Sequence, residues 1–260
     1  MGSNPYKISF LLPTYNCESI IRKTLESILW ADEIVIVDSY SSDSTLDILK
    51  EYDVKIIQNK YINSAKQKNW AIQFCSYDWI FQIDSDEILE KNAENIIRGA
   101  IENASEKVEC FKMPRKNYVL GKWMQYGGIY PDWEYRLFRN GKGNWKDREV
   151  HSRIIVEGEI RLLDTSIIHN GMPSLTKQLK NLDRYTRYEA DELNKKYEKY
   201  SLIKWILGPI YIFIKRYIYQ RGYKDGWRGF YVAVYHAIYL FISYAKFIEM
   251  KKMQLIESPK

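Results

Sequence analysis

Three carboxylates fall within four residues of "WIFQIDSDEILE" (79–90): Asp84, Asp86 and Glu87, directly after an apolar run broken only by Gln82. Two carboxylates one residue apart at a strand end can face one divalent cation. Mg2+ and Mn2+ take oxygen ligands and are commonly shared with substrate phosphates. A metal on a diphosphate neutralises the charge that develops as a nucleotide leaves. A further acid, Asp38, closes the apolar run "EIVIVD" (33–38), where it can accept hydrogen bonds from a base or a ribose. Together these residues read as a site for a nucleotide-diphosphate donor.

Apolar runs at 7–13, 33–38, 54–58 and 79–84 predict strands buried on both faces. Segments 18–30, 42–52, 64–75 and 87–104 predict helices between and after them. Such alternation predicts an α/β fold, a mainly parallel sheet wrapped by helices. Sheets of this kind bind ligands at the C-terminal ends of their strands. Those ends carry "PTYN" (13–16), "DSYSSDST" (38–45) and "DSDE" (84–87). No G-x-G-x-x-G follows the first strand and no G-x-x-x-x-G-K-[ST] occurs anywhere, which argues against dinucleotide-binding and P-loop chemistry. A first loop that is neither glycine-rich nor basic disfavours a sugar nucleotidyltransferase. After Glu109 the pattern loosens. Residues 121–151, rich in glycine and aromatics, predict short strands and functional loops. Residues 159–169 predict one more strand, and the chain is helical from about Ser174, with a kink or break at Gly208-Pro209.

The 260 residues suit one domain, or one domain with an appendage. Three cysteines without close spacing argue against a disulfide framework and a zinc site, and point to a reducing compartment. The N-terminus does not read as a signal peptide. The net charge of +6 is uneven: from Ser201 onward there are ten Lys or Arg against three Asp or Glu, a net +7, leaving −1 for the other 200 residues. Within that tail, 229–245 is a 17-residue stretch free of charge, at the lower limit for a spanning helix. Its four tyrosines and His236 suit an interface better than a bilayer centre. Residues 205–224 interleave apolar and aromatic residues with basic ones, as membrane-surface helices do. The competing readings are packing on the catalytic domain and dimerisation. An acidic pocket and an aromatic belt do not suit nucleic acid.

"ISFLLPTYNCESIIRKTLESI", "ADEIVIVDSYSSDSTLDILKEY" and "WIFQIDSDE" resemble the N-terminal half of glycosyltransferase family 2, which has the GT-A fold. "QKNWAI" (67–72), "YPDWEYRLFR" (130–139), "REVH" (148–151) and residues 223–249 are similar to the branch containing lipopolysaccharide-core β-glucosyltransferases. The resemblance covers roughly residues 6–250. It implies a GT-A catalytic domain over 1–172, with a nucleotide-binding half at about 6–110 and an acceptor-side half at about 111–172. Residues 173–260 would be a helical, membrane-associating region.

The resemblance also implies roles. Asp84, Ser85 and Asp86 match the D-x-D motif, with Asp86 on the metal and Asp84 on ribose or metal; an acidic helix-capping turn is the bland alternative. Asp38 matches the residue that reads uracil or ribose, and Pro13, Thr14 and Asn16 line the same pocket, unless they merely cap the next helix. Lys68 and Asn69 match "QKN" near the nucleotide; an exposed helical face is the competing reading. An inverting transferase needs a general base. Asp132 and Glu134 are the candidates, Asp132 preferred, against a surface pairing of either acid with Arg136 or Arg139. His151 is a further candidate metal ligand or a structural histidine, followed by Ser152 where the branch usually has an acid. Arg148 or Arg153 could clamp the diphosphate. His169 reads as structural.

The expectation is an inverting glycosyltransferase dependent on Mn2+ or Mg2+. It would use a nucleotide-sugar donor, UDP-linked, and a hydroxyl of a lipid-linked or glycolipid acceptor, on the inner face of the plasma membrane. A polyprenyl-phosphate glycosyltransferase and a non-catalytic membrane-docked scaffold are the alternatives. Donor sugar, linkage and oligomeric state are not readable.

Overall fold

The computed structural model describes residues 6–146 and 154–257. The chain divides into two compact units, one formed by Met1–Lys116 with Asp132–Asn170, the other by Asn117–Pro131 with Gly171–Lys260.

The first unit is built on a mixed sheet. Strands β1 (Ile8–Thr14), β2 (Glu33–Asp38), β3 (Lys55–Gln58) and β4 (Trp79–Gln82) pair in parallel in the order β3-β2-β1-β4. β1 shows why these segments are apolar throughout. Phe10 and Leu12 point into one core, with Ile36, Phe81 and helix α1 (Ile21–Glu26). Leu11 points into a second core, with Val35, Ile80 and helix α3 (Ser64–Ala71). Burying each Phe or Leu contributes roughly 1.5–3 kcal/mol, and only strands covered on both faces collect it at every position. Helix α2 (Thr45–Leu49) follows β2.

Further strands are β5 (Glu87–Leu89), β6 (Val108–Val119), β8 (Asp132–Arg139), β9 (Asn144–Trp145), β10 (Ile154–Ile155), β11 (Glu159–Leu162) and β12 (Ile167–Met172). Beyond β4 the sheet order continues β8-β6-β12-β5, with β11 beside β6, while β9 and β10 pair with each other. β8 runs antiparallel to both β4 and β6.

Four expectations about elements need correction. The helix expected over 87–104 is strand β5 followed by the shorter helix α4 (Ala93–Glu102). Glu87 and Leu89 are buried, and β5 pairs with Ile167–His169; this long-range pairing overrides the helical propensity of the segment. The 12-residue β6 has no counterpart in the sequence reading, because Lys112, Pro114, Arg115 and Lys116 break its apolar alternation. The strand expected over 159–169 is two strands. Of the kink or break expected at Gly208-Pro209, the break does not occur: both residues lie inside a single helix, α6 (Leu202–Ile214).

In the second unit, β7 (Lys122–Trp123) pairs with the end of β6. The loop that follows is bound to the C-terminal helices. Asp225, almost fully buried, accepts the backbone N–H groups of Gln125 (3.1 Å) and Tyr126 (2.9 Å), and Arg216 donates to the Gly127 carbonyl at 2.8 Å. Gly229 sits so close to Gly222 that an added Cβ would lie 1.8 Å from its carbonyl oxygen. Gly229→Ala should therefore be among the most destabilising changes in this unit, read as a drop in melting temperature; an unchanged value would mean that the two backbones part freely.

Candidate functional site

The C-terminal ends of β2, β1 and β4 lie side by side at one edge of the sheet, because the three strands are parallel. Asp38 is the Cα partner of Thr14, and Gln82 of Leu11, so Asp38 and the Asp84–Glu87 turn flank the loop after β1. The loops after β1 and β2 are laced together. Asn16 accepts the Ser42 N–H (2.8 Å), Glu18 accepts the Ser44 N–H (2.9 Å), and the Cys17 N–H donates to Thr45 Oγ1 (2.8 Å). Asn16 adopts a left-handed φ of 44°, which Asn tolerates better than most residues. Thr14 is buried and donates to Asp38 at 3.0 Å. Asp38 is fully buried, and its carboxylate also accepts from the Ser41 N–H and hydroxyl and from Gln58. Its acceptor capacity is directed at its own loop, so it meets a base or ribose only where Ser41 gives way.

The turn after β4 is the centre of a charged network. Asp84 Oδ1 accepts from Lys68 Nζ (2.9 Å) and Gln82 Nε2 (2.8 Å), and Oδ2 from Arg136 Nη1 (3.3 Å). Lys68 lies on α3 and is buried, which removes the exposed-face reading; it also sits over the Trp145 ring at 5.6 Å. Its neighbour Asn69 is bound to the Trp145 backbone by both ends of its amide, at 2.8 and 2.9 Å, and so holds a strand rather than a ligand. Burial alone would raise the Asp84 carboxyl, but Lys68 and Arg136 outweigh it and hold Asp84 well below the usual carboxylate range. Its contribution to stability is therefore complete at neutral pH and is lost as pH falls below about 4.

Arg136 also binds Gln82 and Glu87, the latter wholly buried. Arg136 is itself 3% exposed, so it is not the surface partner of Asp132 or Glu134 that the sequence offered. Arg139 is not that partner either: it stacks on Trp79 and donates to the Val108 carbonyl. The partner is Arg115 of β6, which stands opposite Asp132 across the strand pair. It donates Nε (3.0 Å) and Nη2 (2.7 Å) to Asp132 Oδ2, lies 3.1 Å from Glu134 Oε1, and reaches Glu87 at 3.4 Å. Asp132, Glu134 and Arg136 share one face of β8 by its two-residue period. A continuous ionic chain thus links the candidate base to the candidate donor site: Asp132–Arg115–Glu87–Arg136–Asp84–Lys68.

Burial pushes the Glu87 carboxyl up, against the pull of the Arg136 guanidinium. Removing one member of a buried pair strands the other, which costs roughly 3–5 kcal/mol. Arg136→Met should lose about that much stability in a urea titration; a loss under about 1 kcal/mol would mean that Arg115 alone satisfies Glu87.

Asp86 faces β12. Its Oδ2 is 3.6 Å from His169 Nε2, and both side chains are partly exposed. His169 lies on β12, whose pairing with β5 places it opposite Glu87. The histidine read as structural therefore stands beside the D-x-D motif. His151, with Arg148 and Arg153, lies outside the described residues. Ser85 turns its carbonyl to Thr24 Oγ1 at 2.8 Å, and Pro13 is half-buried in β1. Among the described residues no three His, Cys, Asp or Glu side chains are gathered as a metal cage. One carboxylate and one imidazole at the end of β4 would still suit Mn2+, and the carboxylate alone Mg2+, ions that leave most positions to substrate oxygens and water. The five acids of the cluster against Lys68, Arg115 and Arg136 carry a formal charge of −2, a setting that suits a cation.

A sequence profile of "Glycosyl transferase family 2" matches residues 9–156, more than half of the chain. The chain belongs to glycosyl transferase family 2. It is a glycosyltransferase with the GT-A fold, as the resemblance of its motifs implies. Among its relatives is the lipopolysaccharide core biosynthesis glycosyltransferase LpsC of Rhizobium meliloti, 28% identical over 246 residues, covering 92% of this chain and 91% of the relative. The uncharacterized glycosyltransferase RT0209 of Rickettsia typhi is 25% identical over 264 residues, covering 94% of this chain and 87% of its own. Among solved structures, S. aureus TarS superposes on 79% of this chain with a TM-score of 0.49 at 17% identity, over 47% of its own length.

Sequence reasoning gave no role in the candidate site to Arg115 and Glu87, and it read His169 as structural. Glu87 had a signal, the third acid of "DSDE" in a segment otherwise apolar. Arg115 had none, because a single basic residue in a loosely patterned stretch does not show its partners.

Proposed function

We propose that this family 2 transferase is an inverting, metal-dependent enzyme that moves a sugar from a UDP-linked donor to a hydroxyl of a lipid-linked or lipopolysaccharide-type glycan. It would work on the inner face of the plasma membrane. The observation that carries this reading is the edge at which the Asp84–Asp86 turn, the loop after β1 and the loop fixed by Asp38 meet. The name of the LpsC relative supports a surface-glycan acceptor.

In this reading the laced loops, with Pro13, Thr14 and Asn16, form the wall for the nucleoside, and Asp38 fixes their shape. Asp86 and His169 would hold a divalent ion, with His151 a further candidate. When bound, the ion offsets the charge on the departing diphosphate. Asp84 is held as a carboxylate by Lys68 and Arg136 and aims the turn. Asp132 takes the proton of the acceptor hydroxyl as its oxygen attacks the anomeric carbon. The bond from that carbon to the diphosphate breaks, and the nucleoside diphosphate leaves with the electron pair. Glu134 shares Arg115 with Asp132 and positions it. Residues 173–260 keep the enzyme at the membrane.

The test is release of UDP from a panel of UDP-hexoses with Mn2+ and a bacterial envelope lipid extract as acceptor. Extract-stimulated release from one donor supports the reading. Release from none overturns the choice of UDP donors.

A further inference from the structure

The second unit ends in three helices: α5 (Leu175–Lys196), α6 and α7 (Trp227–Glu257). By length and composition α7 alone among the described helices could cross a membrane, over Trp227–Gln254. Its contacts speak against that. α5 lies along it: Tyr231 donates to Gln178, Tyr239 to the Tyr185 carbonyl, Lys246 to Asp183 and Thr186, and Lys251 to the Asn194 carbonyl. From 231 to 251 these contacts cover about 30 Å of helix, the thickness of a bilayer's hydrocarbon core. Over that length α5 reads "QLKNLDRYTRYEADELN", dense in Asp, Glu, Lys and Arg. A spanning α7 would drag these charges into hydrocarbon.

α6 has the opposite character. None of its residues is buried. One side rests on α7, with Trp205 stacked on Phe241, Phe213 against Phe230, and Gly208 giving room to Leu240. The other side presents Ile203, Ile206, Leu207, Ile210 and Ile214, all exposed and spaced to form one stripe about 100° wide. Between Ser201 and Lys224 there are five Lys or Arg and no Asp or Glu. Of these, Lys204, Lys215, Arg221 and Lys224 are exposed. An apolar face on a segment that carries only cations complements an anionic lipid surface. A second copy would bring the same cations against them.

We propose that α6 is the membrane-docking element, lying in the plane of an anionic leaflet with this stripe in the acyl boundary, and that α7 is its support and crosses no bilayer. The inference rests on the membrane association proposed above and names the element responsible. The test uses the full chain. It should float with phosphatidylethanolamine/phosphatidylglycerol vesicles, bind pure phosphatidylcholine at least about tenfold more weakly, and be released from expressing-cell membranes by alkaline carbonate. Ile206→Glu with Ile210→Glu should weaken flotation at least about tenfold at an unchanged melting temperature. Ile206→Leu with Ile210→Leu should keep it. Should the glutamate pair fail to fold, Lys215→Glu with Lys224→Glu carries the test, with a loss confined to anionic vesicles. Retention after carbonate overturns the in-plane placement. Flotation indifferent to both pairs of substitutions overturns the assignment to α6. A wild-type dimer in solution that ignores vesicles, made monomeric by the glutamate pair, shows an interface between copies instead. Sugar transfer without vesicle binding sinks this inference alone; vesicle binding without transfer sinks the catalytic reading alone.

Discussion

Asp132→Asn is expected to lower kcat about 10^2–10^4-fold, the usual worth of a positioned general base, while the KM for the donor changes little. The substitution is close to isosteric. An amide oxygen can still accept from Arg115, which now donates twice to Asp132 Oδ2, so the β6–β8 pairing and the fold should survive. Glu134→Gln touches the same guanidinium through one contact at 3.1 Å and should cost less than about tenfold. Steady-state kinetics on both variants, with UDP affinity as a control, separates a base from a structural acid. If Glu134→Gln is the more damaging, the two roles are exchanged. If neither matters, the acceptor is an already ionised group such as a lipid phosphate, which needs no base.

Asp86→Ala is expected to reduce turnover by about a thousandfold or more, because in the proposed mechanism it removes the carboxylate that would hold the ion offsetting the leaving diphosphate. It is a cleaner probe than Asp84→Ala. Asp84 neutralises Lys68 and Arg136 inside the unit, so its loss disturbs the buried Glu87 pair as well. Asp86 is a third exposed and faces His169. Turnover and melting temperature should therefore separate: activity lost at Asp86 with stability kept, both lost at Asp84. His169→Ala should follow Asp86→Ala in metal dependence. If it leaves the response to Mn2+ unchanged, the histidine serves β12 alone.

The parallel half of the sheet was legible because its information is local. A strand covered on both faces must be apolar at every position, and a carboxylate that interrupts the run marks its end, so Asp38 and Asp84 stood out. The antiparallel half was not, and the residues show why. β6 carries Lys112, Arg115 and Lys116 where a strand would ordinarily show apolar residues: Arg115 meets Glu87, Asp132 and Glu134, Lys116 meets Glu90, and Lys112 lies over the Trp133 ring. Its partners Asp132 and Glu87 lie 17 and 28 positions away in the chain. β5 was hidden by a sequence with good helical propensity, and the partner that makes it a strand begins at Ile167. His169 was passed over for the same reason: its neighbour Asp86 is reached only through that pairing. In the tail, composition identified aromatic, basic helices, but only the packing of α5 along α7 and the bare face of α6 tell them apart.

The most direct test of the central claim, a metal-dependent nucleotide site at the end of β4, is UDP binding to the wild-type chain by calorimetry, with Mn2+ and then with EDTA. The account predicts measurable binding with Mn2+ that EDTA weakens at least tenfold. UDP binding of equal strength under both conditions would contradict it and leave Asp84 and Asp86 as structural acids.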